Sequence, residues 1–231
     1  MLTVKHGSFT LVELMVSLAI IAIVSLGGIS GYVALRDMQV IEQETESFST
    51  ALGYAKNSSF VSKRTESATS VEFWVYGVGI DLTQIHGRKY SLFKVCDDNV
   101  VSYRKFNSLE NPLYSVSGFN IDYTKDKCNG SSAVRFEESF DIDISGQIES
   151  VSCTAIGGQQ VDYIVFESTT GKPHFYRNIG SGLTEILDIR YMQCLFEMGI
   201  QDRTIRITEG GSILIELTNV TYPDRNIDLS S

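Results

Sequence analysis

The sequence predicts an α+β fold in which a long N-terminal α-helix packs on a C-terminal antiparallel β-sheet or sandwich. Three observations predict this fold. No charged residue occurs from Leu14 to Leu35, and an amphipathic helical pattern follows from Arg36. Beyond about residue 65, apolar residues alternate with period two between short turns. The helix is therefore expected to have a transmembrane half and an amphipathic half, followed by a β-rich head.

The apolar run is long enough to cross a membrane. A helix of about 20 residues spans a bilayer, and residues 14–35 are mostly Leu, Ile, Val, Ala and Met. The short segment before the run carries Lys5 and His6 but no acidic residue, a charge bias that keeps the N-terminus in the cytoplasm. We therefore expect a single pass through the inner (cytoplasmic) membrane, with the head outside the cytoplasm.

The signal that directs export lies ahead of the apolar run. An ordinary secretory signal has a shorter apolar region followed by an Ala-x-Ala-like cleavage site, whereas here the small pair Gly7-Ser8 precedes the run. Residues 9–14 read Phe-Thr-Leu-Val-Glu-Leu. A short basic leader, a small residue, this hexapeptide and an apolar helix together resemble the class III signal of type IV pilins and of type II secretion pseudopilins.

This resemblance implies that a prepilin peptidase removes residues 1–8 and methylates the new amino terminus. Phe9 is then the first mature residue and Glu13 the fifth, which is the family's acidic position. The family usually has Gly directly before the cut, where this sequence has Ser8. Cleavage after Gly7 would make Glu13 the sixth residue, so we favour cleavage after Ser8.

Glu13 has a physical role that does not depend on the resemblance. An acidic side chain at the bilayer edge costs up to a few kcal/mol unless it is paired or neutralised. In a bundle of related helices, the free amine of a neighbour's Phe9 is the expected partner, as the resemblance also implies. The alternative is that Glu13 lies at headgroup level in the first helical turn, where the helix dipole tolerates it.

The helix is predicted to span residues 9–59, with 9–35 as the transmembrane part and 36–59 as the amphipathic part. One apolar stripe with helical spacing comprises Met38, Ile41, Thr45, Phe48, Leu52 and Ala55. Glu42, Glu44 and Glu46 fall away from that stripe. Asn57-Ser58-Ser59 is the expected end, although Phe60-Val61 can carry the helix one turn further, and the head is then residues 60–231.

Short antiparallel strands are predicted in the head. They are expected at residues 70–76, 90–95, 100–106, 134–144, 161–167, 185–191, 204–208 and 212–217. Residues 107–132 are polar, contain Pro112 and are expected to form a loop-rich insertion. Glu209-Gly210-Gly211 separates the last two strands as a hairpin turn in which glycine supplies positive φ.

The four cysteines are expected to form disulfides. Cys96, Cys128, Cys153 and Cys194 include no Cys-x-x-Cys pair, which argues against zinc. Export places them in an oxidising compartment, where an even number suggests one or two disulfides. Three pairings are possible, and proximity in the sequence favours Cys96 with Cys128 and Cys153 with Cys194.

No catalytic or metal-binding constellation is found in the sequence. His86 and His174 lack the His-x-x-x-His spacing of a helical metal site, and each is expected at the surface or in a turn. Gly77-Val78-Gly79 lacks the third glycine and the following helix of a nucleotide loop. Asp141-Ile142-Asp143 begins like a calcium loop, but Ser152 stands where a bidentate Glu is required. We therefore expect no enzyme activity, no cofactor and no metal.

Two stretches of the head carry a second, weaker resemblance. Residues 163–173, a strand running into a Gly-containing turn, and residues 203–217, a Gly-tipped terminal hairpin, look like the sheet domain of minor pseudopilin H and related minor pilins. This likeness implies a minor pilin or pseudopilin, a structural subunit of a pilus-like filament for protein secretion, DNA uptake, adhesion or motility. The alternative is a filament-tip binding protein or adhesin whose β head recognises a ligand or DNA.

The resemblance also implies the partners and the location of the protein. The partners are other pilin or pseudopilin subunits met through the N-terminal helix, the prepilin peptidase, the inner-membrane assembly platform and membrane lipid. The protein then leaves the inner membrane for an extracytoplasmic pilus or pseudopilus. A formal net charge of −9, more negative once Lys5 is removed, argues against nucleic acid as a partner.

Overall fold

The computed structural model describes residues 11–61, 64–66, 72–97, 121–122, 128, 132–135, 142–168, 170–179, 183–187, 189–199 and 201–217. They belong to two compact units, Met1–Gln39 and Val40–Ser231. The described chain has an N-terminal helix and an antiparallel β head, so the predicted α+β fold is confirmed. The predicted strand at residues 100–106 and most of the predicted insertion at 107–132 lie outside the described residues.

Helix α1 runs from Leu11–Val61 and has 51 residues. Its described part begins two residues after the predicted start, because residues 9 and 10 lie outside the described part of the chain. It ends at Val61, the later of the two ends that the sequence allowed. The helix continues through Gly27, Gly28 and Gly31. A Cβ added at Gly28 or Gly31 would meet no atom within 4 Å.

The strands of the head form two sheets. They are β1 (Arg64–Glu66), β2 (Glu72–Asp81), β3 (Lys89–Asp97), β4 (Ile121–Asp122), β5 (Ser132–Arg135), β6 (Ile142–Asp143), β7 (Ser150–Ala155), β8 (Tyr163–Glu167), β9 (Pro173–Asn178), β10 (Leu183–Glu185), β11 (Tyr191–Met198), β12 (Gln201–Thr208) and β13 (Ile213–Leu217). The larger sheet has the order β10-β9-β8-β2-β3-β5-β4, with β1 beside β2 and β6 beside β3. The smaller sheet has the order β13-β12-β11-β7. Among the described pairs, β4 and β5 run parallel and the others antiparallel.

The second half of α1 enters a core that both sheets share. The predicted stripe is confirmed at Ile41, Thr45, Phe48, Leu52 and Ala55, which are fully buried. Thr45 satisfies its hydroxyl by donating to the carbonyl of Ile41, 2.8 Å away. Met38, predicted as part of the same stripe, is instead 41% exposed. The buried stripe therefore begins at Ile41, and the acidic residues Glu42 and Glu46 are exposed, as predicted.

Phe48 packs against one aromatic ring from each sheet. Its ring lies 5.0 Å, centroid to centroid, from the ring of Tyr90 in β3, in a T-shaped arrangement. The same ring lies 5.5 Å from the ring of Phe196 in β11. Burial raises the pKa of the Tyr90 phenol to about 12, with Glu44 acting in the same direction and a hydrogen bond to Ser47 opposing it. The helix, the larger sheet and the smaller sheet thus meet around one aromatic cluster.

The C-terminal end of α1 contacts two hairpin turns. Lys56 Nζ donates a hydrogen bond of 2.8 Å to the carbonyl of Gly211, in the turn between β12 and β13. Gly211 has a φ of 77°, so the predicted role of glycine in this turn is confirmed. The ring of Phe60 lies against Gly171, in the turn between β8 and β9, where an added Cβ would come within 2.5 Å of it. One turn of each sheet therefore holds the helix end.

Several strand predictions need correction. The predicted strand at residues 185–191 is wrong, since β10 ends at Glu185 and β11 begins at Tyr191. The branched residues between them suggested a strand, but pairing with distant segments decides which residues join a sheet. Except for single residues at the end of β10 and the start of β11, the sequence also did not predict β1, β4, β7, β9, β10 or β11. Strand β7 does alternate, with Val151, Cys153 and Ala155 buried, so this period-two pattern was a signal that could have identified it.

Two further boundaries differ from the predictions. The strand predicted at residues 70–76 is described from Glu72 and continues to Asp81, because Gly77 and Gly79 lie inside β2. A Cβ added at Gly79 would lie 2.5 Å from the carbonyl oxygen of Ile164 in β8, so glycine allows the close approach of the neighbouring backbone. The strand predicted at residues 134–144 is described as β5 and β6, and the residues between them lie outside the described part.

Both disulfides join the cysteines that sequence proximity favoured. Cys153 in β7 pairs with Cys194, which lies directly opposite it in β11. Cys96 at the end of β3 pairs with Cys128. The four cysteines are buried. One bridge therefore crosses two neighbouring strands of the smaller sheet, and the other ties Cys128 to the larger sheet.

We expect replacement of Phe48 by Ala to lower the free energy of unfolding by about 3–5 kcal/mol, because the loss of a buried ring leaves a cavity. Chemical denaturation followed by circular dichroism measures this change. Gln43→Ala, at an exposed position one turn earlier on the same helix, is the matched control and should change stability by less than about 0.5 kcal/mol. Equal effects of the two substitutions would contradict the role of Phe48.

Gly79→Ala tests the close approach of β2 and β8. The new methyl group would also lie 2.6 Å from the Phe93 ring, and overpacking of this kind costs about 1–3 kcal/mol. The control is Gly87→Ala, because a Cβ at Gly87 meets no atom within 4 Å. Thermal unfolding should show a clear loss for the first variant only; an unchanged midpoint for Gly79→Ala would contradict the contact.

Candidate functional site

The first half of α1 presents an apolar surface to its surroundings. The described large apolar side chains between residues 11 and 35 range from 43% exposed at Val33 to 74% exposed at Leu11. Fully burying one such side chain is favourable by about 1.5–3 kcal/mol. An apolar environment would therefore stabilise this segment.

The apolar surface covers all sides of the helix. Successive residues of an α-helix point about 100° apart, so Met15, Leu18, Ile20, Ile21 and Ile23 point in five different directions around the helix axis, and each is more than half exposed. A single packing partner would need only one apolar stripe. Within the described residues, no helix combines the length and the hydropathy needed to cross a bilayer. The single pass predicted for residues 9–35 therefore remains a prediction.

Glu13 is the acidic residue in the first turn of the described helix. It is exposed, and the unpaired N–H groups of a helix N-terminus favour a negative charge at this position. Gly7, Ser8 and Phe9 lie outside the described residues. The cleavage site and the pairing of Glu13 with a neighbour's Phe9 amine therefore remain predictions.

A pocket of about 590 Å³ lies in the head, beside β9 and β10. Its walls come from the start of β9, the connection between β10 and β11, and the turn after β12. The lining residues are Lys172, Pro173, His174, Phe175, Glu185, Ile186, Leu187, Ile189, Arg190 and Glu209. Half of this lining belongs to the stretch 185–190 that the sequence analysis assigned to a strand, which explains why the pocket was not predicted.

His174 and Glu185 form a pair in one wall of the pocket. The Nδ1 atom of His174 lies 2.7 Å from a carboxylate oxygen of Glu185, and their side chains are 8% and 18% exposed. The expectation of a surface or turn position is wrong for His174, because pairing between β9 and β10 brings an acidic partner beside it. His86 is exposed in the short 3₁₀ helix Ile85–Gly87, as expected.

The other charged groups of the pocket are more exposed. Lys172 Nζ lies 3.6 Å from a carboxylate oxygen of Glu209, with both side chains largely in solvent, so this ion pair contributes at most about 1 kcal/mol. Arg190 is exposed, and among the described residues no carboxylate pairs with it. The guanidinium of Arg190 is thus available to an anionic group at the pocket.

Within the part of the chain that is described, no group of three or more His, Cys, Asp and Glu residues is placed to hold a metal ion. Asp141, the first residue of the sequence that resembles a calcium loop, lies outside that part, and Ser152 lies in β7. The expected absence of a metal or cofactor stays a prediction.

Comparison with known proteins gives one match, in the N-terminal region. The family model described as the prokaryotic N-terminal methylation motif matches residues 5–29. This match covers the predicted cleavage site, Glu13 and most of the exposed apolar segment. No curated protein and no solved structure matches the chain. Over these residues the chain is similar to proteins that carry the N-terminal methylation motif.

Proposed function

We propose that this protein is a minor pilin or minor pseudopilin, a structural subunit of a type IV pilus-like filament. The observation that carries the proposal is an N-terminal methylation motif continuous with a helix that is apolar on all sides. The likeness of residues 163–173 and 203–217 to minor pseudopilin H supports the minor role. The filament would serve protein secretion, DNA uptake, adhesion or motility.

Assembly through the helix follows from the energetics of its surface. Before assembly, lipid of the inner membrane surrounds the apolar segment; within the filament, the helices of other subunits surround it. Because both environments are apolar, this transfer gains little hydrophobic free energy, and specific contacts must direct it. Pairing of Glu13 with the methylated amine of a neighbour's Phe9 supplies such a contact and sets the axial register between the two helices.

The proposed role is mechanical and not enzymatic. The subunit is held in the inner membrane by a single pass, meets the prepilin peptidase and the assembly platform there, and ends in an extracytoplasmic filament. Two disulfides in the head suit an oxidising compartment outside the cytoplasm.

A second candidate function is a filament-tip binding protein, favoured by the pocket beside β9 and β10. The formal net charge of −9 makes nucleic acid a poor ligand for such a head, because phosphate backbones are recognised by clustered Lys and Arg. The two candidates are compatible, since a minor subunit at a filament end can also bind a partner.

Glu13→Gln tests the assembly contact. The substitution keeps the size of the side chain but removes its charge, and loss of one partner of a buried ion pair costs about 3–5 kcal/mol. We expect the variant to enter the membrane at normal levels but to be depleted from sheared filaments by well over tenfold, as measured by quantitative immunoblotting of membrane and filament fractions.

Ser17→Ala is the matched control for that experiment, because Ser17 lies one helical turn further along the same exposed segment and carries no charge. It should enter filaments like the unmodified protein. Incorporation of Glu13→Gln at the same level as Ser17→Ala would refute the pairing.

Intact mass and N-terminal sequencing of the protein purified from its membrane test the processing step. We expect a chain that begins at N-methylated Phe9, because cleavage after Ser8 keeps Glu13 at the fifth position. A chain that begins at Ser8 would move the cleavage site to Gly7 and keep the pilin role. A chain that begins downstream of Tyr32 would lack the apolar helix and would contradict the proposed function.

A further inference from the structure

We propose that the pocket beside β9 and β10 binds an extended peptide segment of a partner protein, one that carries an apolar side chain next to a carboxylate. The proposal goes beyond the filament role and does not depend on it. Three features of the pocket support it: its apolar rim and floor, the guanidinium of Arg190, and the end of the hydrogen-bond ladder of β9.

The apolar part of the pocket has an exposed rim above a buried floor. Phe175 and Ile189 in the floor are 3% and 8% exposed, whereas Leu187 at the rim is 69% exposed. Leu187 is the most exposed large apolar residue among the described residues of the head. A volume of about 590 Å³ falls in the range of ligand pockets. An apolar side chain of the partner that enters this pocket would pack against Leu187, and both side chains would lose exposed surface.

The positive charge of Arg190 favours an anionic group of the partner beside its apolar side chain. Lys172 and His174 each have a carboxylate partner within the pocket, Glu209 and Glu185. For Arg190 the described residues supply no such partner. A guanidinium binds a carboxylate through two parallel hydrogen bonds, so a partner's Asp or Glu side chain fits this position, while a basic group at the same place would meet Arg190 unfavourably.

The backbone at the pocket suits an extended segment. Strand β10 pairs with residues 176–178 of β9, and one further bond, 2.8 Å long, joins the Ile186 N–H to the Phe175 carbonyl. Carbonyls of alternate residues in a strand point to the same side, so the Pro173 carbonyl points to the same edge, where the described residues supply no backbone donor for it. A peptide lying there can donate an N–H to Pro173, which favours an extended peptide over a compact small molecule.

The full-length protein in detergent micelles tests the proposal. The probe is a fluorescein-labelled octapeptide of alternating leucine and aspartate, acetylated and amidated, and its binding is followed by fluorescence anisotropy against empty micelles. We expect saturable binding with a Kd of about 10–100 μM, in the range of weak peptide recognition. The same peptide with lysine in place of aspartate should bind at least about tenfold more weakly.

Arg190→Glu should weaken binding of the acidic peptide by about tenfold or more, because it replaces attraction by repulsion at the carboxylate. The matched control is Arg177→Glu, an equal charge reversal at an exposed position of β9 outside the pocket lining. It should change the Kd by less than about twofold. Circular dichroism of both variants verifies that the head remains folded.

Any of three results would overturn the proposal: no binding of the acidic peptide up to 1 mM, equal binding of the lysine peptide, or equal loss of binding in Arg190→Glu and Arg177→Glu. Failure of this experiment would leave processing and filament assembly untouched, because those depend on the N-terminal helix. A failure of the Glu13 experiment would likewise leave the peptide site standing.

Discussion

Packing of Phe48 against Tyr90 and Phe196 is the contact on which the head depends. The two sheets share no strand, and the buried stripe of α1 belongs to the same core as residues of both. Without the helix, each sheet would expose apolar side chains that now lie in that core. The helix is therefore a structural part of the head and not a stalk attached to it, which explains why the amphipathic pattern begins abruptly once the apolar run ends.

A different constraint applies to the apolar first half of α1. Its described large apolar side chains are exposed, so an apolar environment would stabilise it. One carboxylate, Glu13, interrupts this surface near its start. In an apolar environment a single charge has few acceptable positions, which is why the proposed pairing of Glu13 would fix the axial register of two neighbouring helices.

The sequence was sufficient to predict those features that depend on a pattern of residues close together in the chain. The apolar run, the stripe from Ile41 to Ala55 and the Gly-tipped hairpin before β13 each follow from residues close in the chain. The pocket could not be found in this way, because His174 and Glu185 meet only through the pairing of β9 with β10, and β9 was missed. The stretch after Glu185 is rich in branched residues that suit a strand, yet beyond the bond from Ile186 to Phe175 the described residues show no further strand pairing for it. The positions of these residues depend on pairing between strands, and a short stretch of sequence does not reveal which strands pair.

The contacts of Lys56 and Phe60 have a mechanical consequence. Each binds a different hairpin turn, one leading into the larger sheet and the other into the smaller. Tension applied along α1 would reach both turns at once, and each sheet would carry a share of the load. When a force is divided between the two sheets in this way, both must give way before either separates from the helix. A helix that contacted one sheet alone would transmit the whole force to that sheet, whose strands would separate one after another.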